Sequence, residues 1–203
     1  MSNRVLILFA HPALQKSRVN QRLIAAVRNL ENVTINDLYE EYPDFFVDVK
    51  REQELLLSHD IIVFQHPLYW YSSPALLKQW EDLVLQYGFA YGAQGTKLNG
   101  KWALTAITTG SSSSTYQRNG YNYFTIRELL TPFEQTVRFC GMRCLPPFVI
   151  YGTLAFEHED EIAASASLYR HALESLRDGR FEAGDFDHVR YLNEILQPFP
   201  AAV

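Results

Sequence analysis

The run Arg4-Val5-Leu6-Ile7-Leu8-Phe9-Ala10 offers no polar face after its first residue. A half-exposed strand alternates apolar and polar positions, so a short run that is apolar throughout suits a strand covered on both faces, as in a parallel sheet. A helix start follows closely. Ser17 is a good N-cap, and Val19, Leu23, Ala26, Val27 and Leu30 recur with the helical period behind it.

The alternation of strand and helix then repeats. Residues 33–38 read as a strand, 51–57 as a helix, and 61–64 as a second buried strand. Pro74 opens the next helix at its first position, where a missing N–H costs nothing, and Leu76, Leu77, Trp80, Leu83 and Val84 form its apolar stripe. Residues 101–108 are the next strand. A helix over 126–140 is expected to kink or restart at Pro132 and to stop at Gly141. Pro146-Pro147 introduces a fifth strand at 148–151, and 162–176 forms a long amphipathic helix. Five strands alternating with helices imply an α/β fold, a parallel sheet with right-handed crossovers and helices on both faces; the strand order expected for it is 2-1-3-4-5. One domain is expected over residues 1–178, followed by a partly helical tail over 179–203.

Composition narrows the partners. A chain of 203 residues can bury a substantial core, and Lys+Arg 18 against Asp+Glu 23 gives a formal net charge of −5. That balance supplies no basic field for nucleic acid or anionic lipid. No cleavable leader and no apolar run of about 20 residues is visible, so the expected place is the cytoplasm, without membrane insertion. Cys140 and Cys144 read as packed thiols, and no metal site is expected.

In such sheets ligands lie beyond the carboxyl ends of the strands. Three of those ends open into unusual loops. The first carries His11 and Pro12 and delivers the helix start Ser17-Arg18-Val19-Asn20, whose free N–H groups suit a phosphate; equally, His11-Pro12 can be a turn and Ser17 a cap. The second, Gln65-His66-Pro67-Leu68-Tyr69-Trp70-Tyr71-Ser72-Ser73-Pro74, makes an aromatic wall that fits a flat ring or a dimer interface. The third, Thr108-Thr109-Gly110-Ser111 and the serines up to Tyr116, is either a mobile surface loop or a donor-rich edge for a ring that gains negative charge. Together they describe a phosphate seat, a wall and a donor edge, as FMN requires.

Tyr42-Pro43-Asp44-Phe45, the 65–72 loop, Thr108-Thr109-Gly110 and the stretch from Cys140-Gly141 to Leu145-Pro146-Pro147 resemble the NAD(P)H:quinone oxidoreductase family of flavodoxin-like fold. The resemblance is nearest to the Kef-type potassium-efflux ancillary flavoproteins and covers nearly all of residues 3–178. It implies that His11 and Ser17 to Asn20 bind the FMN phosphate and ribityl chain. It also implies that Pro67, Leu68, Tyr69, Trp70 and Tyr71, with Thr108, Thr109, Gly110 and Ser111, line the ring. Tyr116 matches the family's tyrosine beside the ring. In that family's chemistry the Gly110-Ser111 backbone and the Tyr116 hydroxyl stabilise the reduced flavin. Ser111 stands where many relatives have a second glycine, and Asn122 where mammalian-type enzymes carry a histidine; asparagine has no proton to exchange near neutral pH.

The implied activity is two-electron hydride transfer from NAD(P)H to a quinone by a ping-pong route, in a homodimer, with FMN favoured and FAD possible. The implied partner is a Kef-type potassium efflux antiporter, bound at the cytoplasmic face of the inner membrane. Two rival readings are a chiefly regulatory subunit of that antiporter and a one-electron flavodoxin-type carrier.

Overall fold

The computed structural model describes residues 2–196. Its first strand, β1 (Val5–Phe9), is buried along its whole length. A single 3-10 turn precedes α1 (Arg18–Val27), where the Ser17 hydroxyl accepts the Asn20 N–H at 3.3 Å and so caps the helix. Then come β2 (Val33–Asp37), a short α2 (Leu38–Glu41), α3 (Val49–Ser58) and β3 (Ile61–Pro67). The remaining elements are α4 (Ala75–Val84), β4 (Trp102–Thr108), α5 (Ile126–Leu129), α6 (Thr131–Phe139), β5 (Arg143–Cys144), β6 (Phe148–Ile150) and α7 (Glu159–Arg177). The sheet is parallel, as the alternating pattern requires, in the expected order β2-β1-β3-β4-β5, and β6 also pairs with β4.

Helices cover both faces. Leu6, Leu8, Ile62 and Phe64 pack on one side with Leu76 and Trp80 of α4, while Val5, Ile7, Phe9 and Val63 pack on the other with α1 and α7. Successive strand residues point to opposite faces, so covering both faces requires the unbroken apolar runs. Pro132 restarts the helix as expected: α5 ends, Leu130 turns away from helical ψ, and α6 begins with Pro in its first turn. Gly141 follows at φ +73°, a conformation that suits glycine at a helix stop.

Four expectations need correction. The fifth strand position is filled by two short pieces, β5 and β6, interrupted at Pro146-Pro147, because two adjacent prolines bring no N–H to the ladder. Pro74 is the N-cap rather than the first helical residue; its ψ of 146° is extended. Strand β3 continues through Gln65, His66 and Pro67, all buried, so the second loop begins only at Leu68. Strand β2 stops at Asp37, whose carboxylate caps α2 by accepting the Tyr39 and Glu40 N–H groups.

The motif around Tyr42 has a structural use. Glu52 is completely buried, and its carboxylate accepts from Tyr42 (2.6 Å), Trp80 (2.7 Å) and Asn36 (2.8 Å), with Arg51 alongside. A buried carboxylate is tolerable only with such a full set of donors.

Beyond α7 the chain carries two 3-10 turns, at Ala183–Phe186 and Leu192–Glu194. The part of the expected tail after residue 196 lies outside the described residues.

Candidate functional site

The loops after β1, β3 and β4 meet at one end of the sheet around a cleft of about 600 Å³. His11, Ser17, Arg18, Val19, Asn20, Pro67, Leu68, Tyr69, Thr108 and Gly110 all line it. Asn20 ties two of its sides together. It is 3% exposed, and its amide donates to Ser17 Oγ at 3.0 Å and to Thr108 Oγ1 at 3.1 Å. Its Oδ1 is buried without a partner among the described residues, an acceptor open to a hydroxyl or N–H donor. Beside it, the Arg18 and Val19 N–H groups at the start of α1 meet no protein acceptor among the described residues. Free first-turn N–H groups and the positive end of a ten-residue helix favour an anion there.

The Arg18 guanidinium itself is turned away, donating to Glu159 at 2.8 Å and to the Phe156 carbonyl at 3.3 Å. Lys16 also lines the cleft. His11 accepts the Ala13 N–H at Nδ1 (3.1 Å), which leaves Nε2 as the protonated nitrogen. Burial lowers its pKa and keeps the ring neutral.

The aromatic triplet divides. Tyr69 and Ser72 exchange both N–H···O bonds at 3.0 Å, making a two-residue hairpin whose central residues, Trp70 (φ 47°) and Tyr71 (φ 65°), are both left-handed. This turn reverses the chain between Tyr69 and Ser72. Tyr69 faces the cleft and packs edge-on to His11 at 5.9 Å. Trp70 is 93% exposed, and Tyr71 lines an adjoining groove of about 480 Å³ with Tyr121, Asn122, Tyr123 and Phe124. The Tyr71 hydroxyl donates to Asn122 Oδ1 at 3.2 Å.

At the third loop, Thr109 is buried, with its hydroxyl on the Ser111 carbonyl at 2.8 Å. The Gly110 and Ser111 N–H groups have no acceptor among the described residues. A Cβ on Gly110 would stand 2.8 Å from Leu154 Cδ1, so glycine lets the Leu154 side chain close over the loop. Neither Ser111 nor Tyr116 lines the cleft. Tyr116 is buried with its hydroxyl near the Thr109 side chain, and burial raises its pKa.

A fourth segment lies outside the three expected loops. Thr153, Leu154 and Phe156, which follow β6, form another wall with Ile162 of α7. The Thr153 N–H and hydroxyl both donate to the Thr109 carbonyl, at 2.9 and 3.1 Å, and Gly152 N–H donates to Ser111 O at 2.9 Å. The rule that ligands lie beyond strand carboxyl ends, applied to the last strand as well, points to it. Cys140 and Cys144 lie elsewhere, and burial pushes both thiols up to about 11, so they stay protonated.

Known proteins share this fold. The family described as Flavodoxin-like fold matches residues 3–173. A Bacillus subtilis protein named as an uncharacterized NAD(P)H oxidoreductase, YrkL, is 52% identical over 157 residues, 77% of this chain and 90% of its own. The glutathione-regulated potassium-efflux system ancillary protein KefG of Yersinia pseudotuberculosis is 46% identical over 172 residues, 85% of this chain and 94% of its own. The crystal structure of general stress protein 14 from Treponema denticola, in complex with FMN, superposes with a TM-score of 0.81 at 37% identity, covering 85% of this chain and 99% of that one. An NADPH-quinone reductase from P. pentosaceus gives 0.75 at 36%, covering 83% and 96%. The chain belongs to this flavodoxin-like family of NAD(P)H oxidoreductases and quinone reductases.

Proposed function

We propose that this protein is an FMN-dependent NAD(P)H:quinone oxidoreductase that transfers two electrons in a ping-pong order. The observation that carries the reading is the pairing, across one cleft, of unmet polar groups at both ends. At one end are the free Arg18 and Val19 N–H groups and the orphaned Asn20 Oδ1; at the other is the free Gly110 N–H group. The first set fits a phosphate and a hydroxylated chain, and the second fits a ring edge that accepts hydrogen bonds. When bound, FMN supplies the hydride chemistry between NAD(P)H and quinone.

The chain's own residues bind and orient. Ser17 holds its hydroxyl at the anion end, Pro67, Leu68 and Tyr69 exclude water along one wall, and the Gly110 N–H donates where negative charge develops. Tyr116 acts through Thr109, holding the donor loop in place. FMN rather than FAD is supported by the FMN in the Treponema denticola structure. A homodimer is supported by the exposed aromatic surface of Trp70, Tyr121 and Tyr123 beside the cleft. Asn122, already occupied by Tyr71 and Thr115, serves as a hydrogen-bonding post and not as a proton donor.

The relation to KefG favours a second role, as the ancillary subunit of a Kef-type antiporter at the cytoplasmic face of the inner membrane. No helix among the described residues is long and apolar enough to cross a membrane, so that association would be peripheral. The test of the enzymatic reading is the visible spectrum of the purified protein, with mass analysis of the released cofactor and steady-state kinetics against NAD(P)H and quinone. A flavin spectrum, an FMN mass and parallel double-reciprocal lines are expected. A colourless protein that cannot be reconstituted overturns the reading.

A further inference from the structure

The match to the family ends at residue 173, yet the chain continues and folds back onto the sheet. The Leu192 N–H donates to the Pro147 carbonyl at 3.0 Å. Asn193 then uses one side chain as a strand would use its backbone: Oδ1 accepts the Val149 N–H at 2.9 Å and Nδ2 donates to the Val149 carbonyl at 3.0 Å. Val149 is the middle residue of β6, so the outward edge of that short strand is closed by an amide.

The returning segment straddles the sheet. Leu192 is fully buried in the core under α1 and α7, whereas its extended neighbour Tyr191 (φ −135°, ψ 138°) packs with the opposite core. Tyr191 meets Tyr151 edge-on, with ring centroids 6.3 Å apart at 85°. Tyr151 packs in turn on Tyr116 at 6.2 Å, and Tyr116 reaches Thr109, between the cleft residues Thr108 and Gly110. The same strand β6 leads directly into the Thr153-Leu154 wall. Both routes from the tail end at the cleft.

We propose that the segment around Tyr191 and Asn193, beyond the family match, completes the cofactor site: Asn193 fixes the edge of β6, and Tyr191 is a positioning residue that holds Tyr151 and Tyr116 behind the donor loop. The inference rests on the flavin reading of the cleft. It assigns the tail a share in cofactor affinity and in the setting of the ring edge. Both residues are only half-buried, so they can be substituted with less risk to the fold than Leu192.

The experiment uses the full-length chain as wild type, Tyr191→Ala, Tyr191→Phe and Asn193→Ala. Each is titrated with FMN by flavin fluorescence, with the visible absorption bands, far-UV circular dichroism and thermal midpoint recorded. Tyr191→Ala and Asn193→Ala are expected to weaken FMN about threefold to tenfold and to shift the visible bands, as removal of one or two neutral interactions would. Tyr191→Phe keeps the ring and should stay within about twofold of wild type, with the bands restored. Wild-type affinity and bands in both alanine variants, even with a lowered thermal midpoint, would make the tail an edge cover only and overturn the inference. Equal weakening by Tyr191→Phe and Tyr191→Ala would overturn the packing role of the ring. If Tyr191→Ala loses its far-UV signature, Asn193→Ala decides by the same criteria. A wild type that binds no FMN overturns the cleft reading and this inference with it, whereas normal wild-type binding with unaltered variants overturns this inference alone.

Discussion

The Asn20 side-chain amide donates to the Thr108 hydroxyl at 3.1 Å, joining the helix that follows the first strand to the end of the fourth. That bond fixes the orientation of the amide and leaves Oδ1 unmet inside the cleft. Ser17→Ala combined with Asn20→Ala is therefore expected to give largely flavin-free protein. Removing two hydrogen bonds to a charged ligand costs about 3 kcal/mol, or roughly a hundredfold in affinity. The flavin content of the purified variant and its FMN titration check this; full occupancy would reject the assignment.

Tyr116→Phe separates turnover from binding. The hydroxyl lies near the Thr109 side chain and is not among the groups lining the cleft. Turnover with quinone should fall by about tenfold while the FMN dissociation constant changes by less than about threefold. An unchanged rate would reduce Tyr116 to packing.

The hairpin at Trp70 and Tyr71 holds two bulky residues at positive φ. Side chains other than glycine or asparagine cost roughly 1–2 kcal/mol each in that region. Trp70→Asn with Tyr71→Gly should raise stability in urea by at least about 1 kcal/mol while lowering turnover, because the variant lacks the exposed aromatic surface and the Tyr71–Asn122 bond. Unaltered stability would mean that the turn carries no strain.

Glu81 gives a pH signature. Burial pushes its carboxyl from the ordinary 4.5 up to about 7, with Asp82 adding to the rise and Lys78 opposing it. Between those values the folded chain keeps a proton that the unfolded chain releases. Its contribution to stability is therefore complete below about pH 4.5 and declines as pH rises to about 7, in total on the order of 3 kcal/mol. Glu81→Gln should remove this decline, so the variant gains on wild type as pH goes from 4.5 to 8 in parallel urea titrations. A stability difference that does not change with pH would refute the assignment.

Glu52→Ala should be severe. It leaves the Tyr42 hydroxyl, the Trp80 indole N–H and the Asn36 amide facing a buried vacancy. A loss of about 3–5 kcal/mol is expected from chemical denaturation, with Glu52→Gln intermediate. A loss under about 1 kcal/mol would show that the donors find other partners.

Much of the architecture was legible because its causes are local. Short apolar runs with no polar face suit strands covered on both sides, Ser17 is a good N-cap where a helix follows it, and Pro132 and Gly141 break helices through their own geometry. The rule about strand ends then located three of the four loops around the cleft. The residue-by-residue roles were less legible. Nothing in Tyr69-Trp70-Tyr71 says that only the first faces the cleft; the paired bonds between Tyr69 and Ser72 decide that.

The sequence by itself determined the alternation of strands and helices, hence a parallel sheet and the end of it that bears the site, since periodicity, caps and breakers act over a few residues. Tertiary structure alone decided that Asn20 would meet Thr108 across 88 positions, that Glu52 would gather donors from α4 and β2, and that Asn193 would close the edge of β6. Those interactions join segments remote in the chain, and their partners become neighbours only once strand register and helix packing have set the distances between them.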